Sequence, residues 1–426
     1  MDLDLHLPYG SDHLRFSLGG RPEVLTTVEP ETRVDTRRFA QDMASVLSRS
    51  NLNLSRPAVV LADKTRLCGY PEYLPVLLAA LTAQGADPRR VTFWIGYGTH
   101  APQTVHECRR AYGDIYETAP FRHHRCDDPA SFTELGRTGR GTPIRLPREL
   151  MEASCLITFG AVSHHYFAGF GGGRKLIFPG LGEKRAIYAN HGLFLDRSAR
   201  SLAAGCRPGV IAGNPLAEDL AECEASRPAD LAVHGILDSR GRVCELRVGH
   251  GPDHFASACA RHAELTELSR PEAFDLVLAS CGGFPKDINF IQSHKAIHHA
   301  ADFVRDGGRL IVLAQCRDGI GSQTFLPWFA LGWETAFDHL AEDYQGNGGT
   351  ALAMMAKVRR IQIGLVTGLP AELAAQIGCE VLSADAVGRI VKVHTGSLAV
   401  IPNASLLVRK SSDLQQKNNT DAHCPS

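Results

Sequence analysis

Short apolar runs, each followed or preceded by a stretch of helical spacing, set the limits on how this chain can fold. Pro57-Ala-Val-Val-Leu-Ala62, Val91-Thr-Phe-Trp-Ile95, Ser154-Cys-Leu-Ile-Thr-Phe159, Phe274-Asp-Leu-Val-Leu-Ala-Ser280 and Arg309-Leu-Ile-Val-Leu-Ala314 are the length of strands. None approaches the ~20 apolar residues of a membrane span. Helical spacing appears at Phe39–Leu47, Tyr73–Gln84, Pro102–Tyr112, 182–190, 254–268, Ile291–Val304, Thr350–Val358 and Ala371–Ile377. Runs that are apolar throughout are buried on both faces, and their alternation with helices predicts α/β architecture with mostly parallel sheets. Ligands of such sheets sit beyond the carboxyl ends of the strands. Asp63–Arg66, His100 and His164–His165 all fall just after predicted strands.

A chain of 426 residues is too long for one ordinary core, so two domains are expected. The polar stretch Ser269-Arg-Pro-Glu272 marks a boundary. We expect an N-terminal domain over 1–268 that is rejoined by a returning strand within 388–410. A C-terminal α/β domain over 272–385 and a disordered tail over 411–426 complete the division. The first thirty residues read as hairpin material, with alternation over Asp2–Leu7 and Leu14–Leu18 around the turn Pro8-Tyr-Gly-Ser11. Residues 120–150 read as an irregular excursion or hairpin.

A net charge of −1 argues against broad electrostatic binding to nucleic acid or to an anionic membrane. The start of the chain lacks the basic and apolar regions of a signal peptide. Its 12 cysteines include no C-x-x-C pair, so neither a zinc ribbon nor a redox dithiol is indicated. Reduced thiols in a cytoplasmic protein fit this usage.

The densest chemistry lies between Ser163 and His191. His164 and His165 precede Gly169, Gly171, Gly172 and Gly173, and Arg174 and Lys175 follow directly. The run Gly169–Leu176 is not a Walker A loop, because Arg stands before the lysine and Leu after it. No G-x-G-x-x-G opens a helix in the first βα unit either. Freed amides and two cations suit a phosphate-bearing ligand, although a tight turn with solvated basic residues has the same pattern. His123, His124, His254 and His262 read as structural or surface residues. His100, His165 and His191 accompany glycine loops at strand ends, where histidine serves proton transfer or metal ligation. Two histidines facing one carbon from opposite sides would suit a racemase, and a third would suit nickel, copper or zinc. No H-E-x-x-H occurs. Arg66 and Lys295 are candidate cations for a carboxylate substrate, although Lys295 also reads as an exposed helix lysine.

In order along the chain, these residues resemble the nickel-pincer-nucleotide-dependent lactate racemase family. The resemblance rests on Leu7-Pro-Tyr-Gly10, Asp63-x-Thr-Arg66, Gly98-x-His100, His165 ten residues before Lys175, His191 sixteen after it, Gln292-x-x-Lys295 and Gly396-Ser-Leu398. It covers roughly residues 1–408. It implies two α/β domains with the active site in the cleft between them, and a closing strand that rejoins the first. It implies a nickel-pincer nucleotide, a pyridinium-3-thioamide-5-thiocarboxylic acid mononucleotide carrying nickel. Lys175 would attach it covalently and His191 would ligate the metal. Asp63, Thr65, Gly172 and Arg174 would lie near the cofactor and its phosphate. His100 and His165 would be the catalytic acid/base pair, and Arg66, Gln292 and Lys295 would bind substrate.

The implied activity is racemisation or epimerisation at C2 of a 2-hydroxy acid by proton-coupled hydride transfer. The C2–H of such an acid is so weakly acidic that a histidine of pKa near ~6.5 is a poor match for it. Leaving the redox step to the cofactor avoids the carbanion. Cofactor-synthesis enzymes would be the partners. Where the lactate enzymes of the family carry tyrosine before the Gln292 equivalent, this chain has Ile291. That leaves a longer, aromatic or polyhydroxy substrate open beside lactate. The alternatives are a metal-dependent hydrolase or lyase using the same histidines without a pincer cofactor, and a protein that only carries the cofactor.

Overall fold

The computed structural model describes residues 3–18 and 22–414. The chain folds into two α/β units, one made of residues 29–193 and 209–265, the other of 1–28, 194–208 and 266–426.

The first unit is built on a six-stranded sheet. Pro57–Ala62 lies at its centre, with every residue buried. It runs parallel to Thr92–Gly96 on one side and to Cys155–Ala161 on the other. Phe121–His123 extends the sheet beyond Thr92–Gly96, and Leu231–Leu237 extends it beyond Cys155–Ala161, both in parallel. Val243–Gly249 closes that edge antiparallel. The polar stretch 120–150 is divided, since its first strand joins the sheet while Phe132–Arg137 and Pro143–Pro147 form a separate hairpin. Two tyrosines tie the carboxyl ends of the central strands. Tyr70 OH accepts from Ala62 N and donates to Phe159 O, both at 2.9 Å, and Tyr112 OH donates to Ala62 O at 2.9 Å. Because all four residues are buried, these bonds satisfy donors and acceptors that would otherwise be costly. They also fix the strand ends from which the site loops spring.

The second unit has its own six-stranded sheet, parallel throughout, in the order Glu380–Val381, Gln362–Val366, Val304–Leu313, Phe274–Ser280, Leu398–Ile401, Glu23–Val24. This corrects the expected domain division. The closing strand Leu398–Ile401 does not return to the N-terminal domain but fills the gap between Phe274–Ser280 and Glu23–Val24. Residues 1–28 belong here too. The hairpin of Leu3–Tyr9 and Asp12–Leu18 alternates, as its sequence indicates. Its buried Leu7, Phe16 and Leu18 pack on Leu276, Leu278, Ile311, Leu313 and Val400 of this sheet. Alternation identifies an apolar face but not the sheet it covers.

Other expectations shift as well. Within the stretch 388–410, residues 402–406 are turn, and Val408–Arg409 pairs with Glu267–Leu268. Residues 411–414 of the expected tail are helical, and the buried Asp413 accepts from Arg270 N at 2.6 Å. The rest of that expectation, and the start of the first predicted strand at Asp2, lie outside the described residues. Helices Pro215–Ser226, Pro327–Glu342 and Ala384–Val393 were not expected. Among the described residues no helix is long and apolar enough to cross a membrane. No disulfide forms among the described residues, and every cysteine among them but Cys126 is buried.

Candidate active site

The first unit holds nine of the candidate residues, eight of them in the segments that follow the carboxyl ends of three adjacent strands. After Pro57–Ala62 the chain turns at Asp63, whose Oδ1 accepts from Thr65 N at 2.9 Å and from Thr65 Oγ1 at 2.5 Å. Arg66 reaches back to Thr65 Oγ1 at 3.3 Å. After the neighbouring strand Thr92–Gly96, the loop to His100 bends at Gly98 and is held by a bond from Gly98 N to Gly180 O at 2.8 Å.

His100 Nδ1 meets Asp63 Oδ2 at 2.7 Å. Burial alone would raise the Asp63 pKa. The hydrogen bond and charge of His100, the charge of Arg66 and the Thr65 hydroxyl outweigh it and hold the carboxyl well below the usual range. An ionised carboxylate only accepts, so the His100 proton on this side sits on Nδ1 and the lone pair is on Nε2.

Beyond Cys155–Ala161 the glycine stretch forms a small antiparallel ladder, Ser163–His165 against Gly169–Gly171. His165 Nδ1 accepts from Ala168 N at 3.3 Å. Gly172 and Gly173 have φ of +81° and +50°, and a Cβ would stand 2.3 Å from Ala161 O at the first and 2.4 Å from Phe255 Cδ2 at the second. Neither position tolerates a side chain. This double turn delivers Arg174 and Lys175 onto the short helix Arg174–Ile177. Burial, followed by the charges of Arg66 and Arg174, pushes the Lys175 amine well below its ordinary pKa. Arg174 is itself buried, with its guanidinium 5.5 Å from the Phe255 ring centre. Among the described residues its Nε has no hydrogen-bond partner.

His191 lies on the helix Lys184–Gly192. Burial first, then the neighbouring Lys175 and His100, push its pKa down to about 3. One residue the sequence reading passed over links these groups. The buried Phe167 sets its ring edge-to-face with His165 at 4.6 Å and with His191 at 5.1 Å, and Lys175 Nζ is 5.6 Å from its centre. An aromatic beside a glycine loop reads as ordinary core, and only its place between two of the histidines marks it out.

Gln292 and Lys295 belong to the second unit, on the helix Phe290–Ala301. They stand one turn apart, and Lys295 Nζ donates to Gln292 Oε1 at 2.7 Å. Asn289 caps this helix by accepting from Gln292 N at 3.0 Å.

Residues 41–202 match the family model for the lactate racemase N-terminal domain, and residues 269–341 match that for the lactate racemase C-terminal domain. The chain belongs to the lactate racemase family. The lactate racemase of Thermoanaerobacterium thermosaccharolyticum is 28% identical over 347 residues, which are 76% of this chain and 78% of that protein. The lactate racemase of Lactiplantibacillus plantarum is 28% identical over 291 residues, 67% of this chain and 66% of that one. The solved lactate racemase apoprotein from T. thermosaccharolyticum superposes with a TM-score of 0.84 at 23% identity, covering 96% of this chain and 100% of its own. A Thermotoga maritima protein shares the fold at a TM-score of 0.68 and 14% identity, over 89% of this chain and 99% of its own. As a member of the lactate racemase family the chain is an isomerase, and its fold is that of the family.

The residues present fit a covalently held metal cofactor. Burial that lowers the pKa of a lysine favours the free amine, which is the nucleophilic form. A neutral imidazole is a metal ligand. Among the described residues no group of three or more His, Cys, Asp or Glu side chains is placed to hold a metal ion by itself. The buried Arg174 guanidinium beside Gly172 and Gly173 suits an anionic group such as a phosphate.

Proposed function

We propose that this protein is a racemase or epimerase that inverts C2 of a 2-hydroxy acid with a nickel-pincer nucleotide bound covalently through Lys175. The observation that carries the proposal is the closeness of a half-buried amine and a half-buried imidazole, Lys175 and His191, to the same Phe167 ring, with two further histidines whose ring protons are set by their surroundings. Lys175 would form the covalent link and His191 would ligate nickel. Asp63, Thr65, Gly172 and Arg174 would line the nucleotide. When bound, that cofactor supplies a reversible hydride acceptor, which the side chains of the protein do not offer.

The chain's own residues handle protons and position. His100, with its lone pair on Nε2, takes the hydroxyl proton of one enantiomer and returns it. His165 serves the hydroxyl of the opposite enantiomer. The Asp63 carboxylate holds His100 in its tautomer and stabilises the imidazolium that forms. Arg66, Gln292 and Lys295 bind the substrate carboxylate, and the Lys295–Gln292 bond fixes the ammonium of Lys295 for that task.

Protein produced together with the cofactor-synthesis enzymes should show an intact-mass adduct on Lys175 and about one nickel per chain. It should also racemise at least one member of a panel of chiral 2-hydroxy acids. An unmodified mass without nickel under those conditions would sink the proposal. The lack of a protein-only metal cluster among the described residues speaks against a hydrolase or lyase that binds its metal without the pincer.

A further inference from the structure

The ladder that presents His165 is very short, with three residues on each side, and glycine fills two of the three positions on one strand. Gly169 and Gly171 leave Phe170 as the only side chain on that strand. Ladders this short and glycine-rich specify their own register weakly, and a slip of one residue turns every side chain to the opposite face. The register must therefore be fixed by something other than strand pairing.

His164 stands directly across from Phe170 in the ladder. The two rings stack at 4.9 Å with 30° between their planes. His262, on the helix Gly251–Thr266, packs on His164 at 4.9 Å and on Phe170 at 6.4 Å. Phe170 in turn belongs to a buried cluster with Val162, Ile236, Phe255, Ala258, Cys259 and Leu265. Successive residues of a strand face opposite ways, so this anchor on one face determines where the next side chain points on the other. That next side chain is His165, opposite Gly169, with its Nδ1 tied to Ala168 N in the loop between the strands. Burial holds the His164 pKa down to about 3, so the ring packs as a neutral aromatic.

We infer that His164 is a positioning residue for the reaction, locking the register of the ladder by its stack with Phe170 and His262 and so aiming His165. The inference rests on the role proposed for His165. His164→Ala should speed amide hydrogen exchange across 163–171 in the cofactor-free protein, whereas His164→Phe, which keeps a flat ring, should not. In the holoenzyme, His164→Ala should lower kcat per cofactor-loaded chain by about tenfold to a hundredfold at unchanged KM, the scale of a misplacement near 1 Å. His164→Phe should restore kcat to within about threefold of the parent. If His164→Ala does not fold, Phe170→Leu breaks the same stack from the other strand, with the same expectations.

Parent-like exchange and kcat in His164→Ala would overturn the inference, and so would a loss that only follows reduced cofactor loading. Failure of His164→Phe to rescue would overturn it too. His165→Ala, measured beside these variants, separates the two levels. Full activity in that variant removes the role of His165 and the inference with it. An inactive His165→Ala beside a parent-like His164→Ala removes the inference alone.

Discussion

The role proposed for His100 and His165 is the same, but their surroundings differ. The His100 side chain is 47% exposed and leans on a buried carboxylate. His165 is set among rings, stacked on Tyr166 at 5.5 Å and edge-to-face with Phe167 at 4.6 Å. In both, Nδ1 is engaged, but with opposite sense. Asp63 accepts a hydrogen bond from His100, whereas Ala168 N donates one to His165. Neutral His100 therefore carries its lone pair on Nε2, and neutral His165 carries its proton there. At any moment a two-base racemase needs one partner ready to accept a proton and one ready to give it. The difference in second partners gives the two neutral rings opposite tautomers, and an ionised partner makes the stronger of the two bonds.

The largest test removes what both histidines would work beside. Lys175→Ala should abolish the covalent adduct and all racemisation, and an unchanged intact mass would break the assignment. Next come the histidines themselves. His100→Ala and His165→Ala should each lower kcat by about 10²–10⁴, the usual range for a general acid or base. Full activity in either would end the two-base comparison. Asp63→Asn sharpens it further. An amide can donate to Nδ1 and so favour the wrong His100 tautomer, and a loss of about tenfold to a thousandfold in kcat is expected. Because the carboxylate would act through His100, Asp63→Asn should cost little more once His100 is already alanine. Additive losses in that double variant would separate Asp63 from His100.

The legible parts of this molecule share a physical character. Pro57–Ala62 and Phe274–Ser280 declare themselves because parallel strands covered on both faces are apolar throughout. Thr104 and Glu107 cap Val105–Tyr112 reciprocally, a local signal readable at fixed spacing. The helix Pro327–Glu342 was missed because Gly332, at φ +70°, breaks its period and exposed Leu331 blurs its apolar face. At the site, strand ends placed Asp63 and His100 on loops. Their contact depends on Pro57–Ala62 lying beside Thr92–Gly96, and strand order is not written in either segment. The individual roles assigned to Lys175 and His191 came from resemblance. The burial that makes a lysine and a histidine neutral belongs to the assembled fold. Phe167 shows the same limit, since its meaning lies in the three groups around its ring.

His234 supplies the control for the comparison, because it is a histidine with no placed proton. It is 2% exposed, and neither ring nitrogen has a hydrogen-bond partner among the described residues. Its ring stacks on His254 at 4.8 Å. Burial, then the neighbouring His254 and Arg247, push its pKa down to about 3. An unfolded histidine titrates near ~6.5, so between these values the unfolded chain binds the extra proton. This group's contribution is thus present above about pH 6.5 and is lost as the pH falls toward 3. At pH 5 the loss amounts to about 2 kcal/mol. His234→Phe should remove that share, so its melting temperature should fall less than the parent's between pH 7 and pH 5. Racemisation at pH 7 should stay within about twofold, because a ring of similar shape still fills the site. A large loss of activity at unchanged stability would show that a histidine without a partner takes part in the chemistry, and the contrast drawn between His100 and His165 would no longer explain which histidines do.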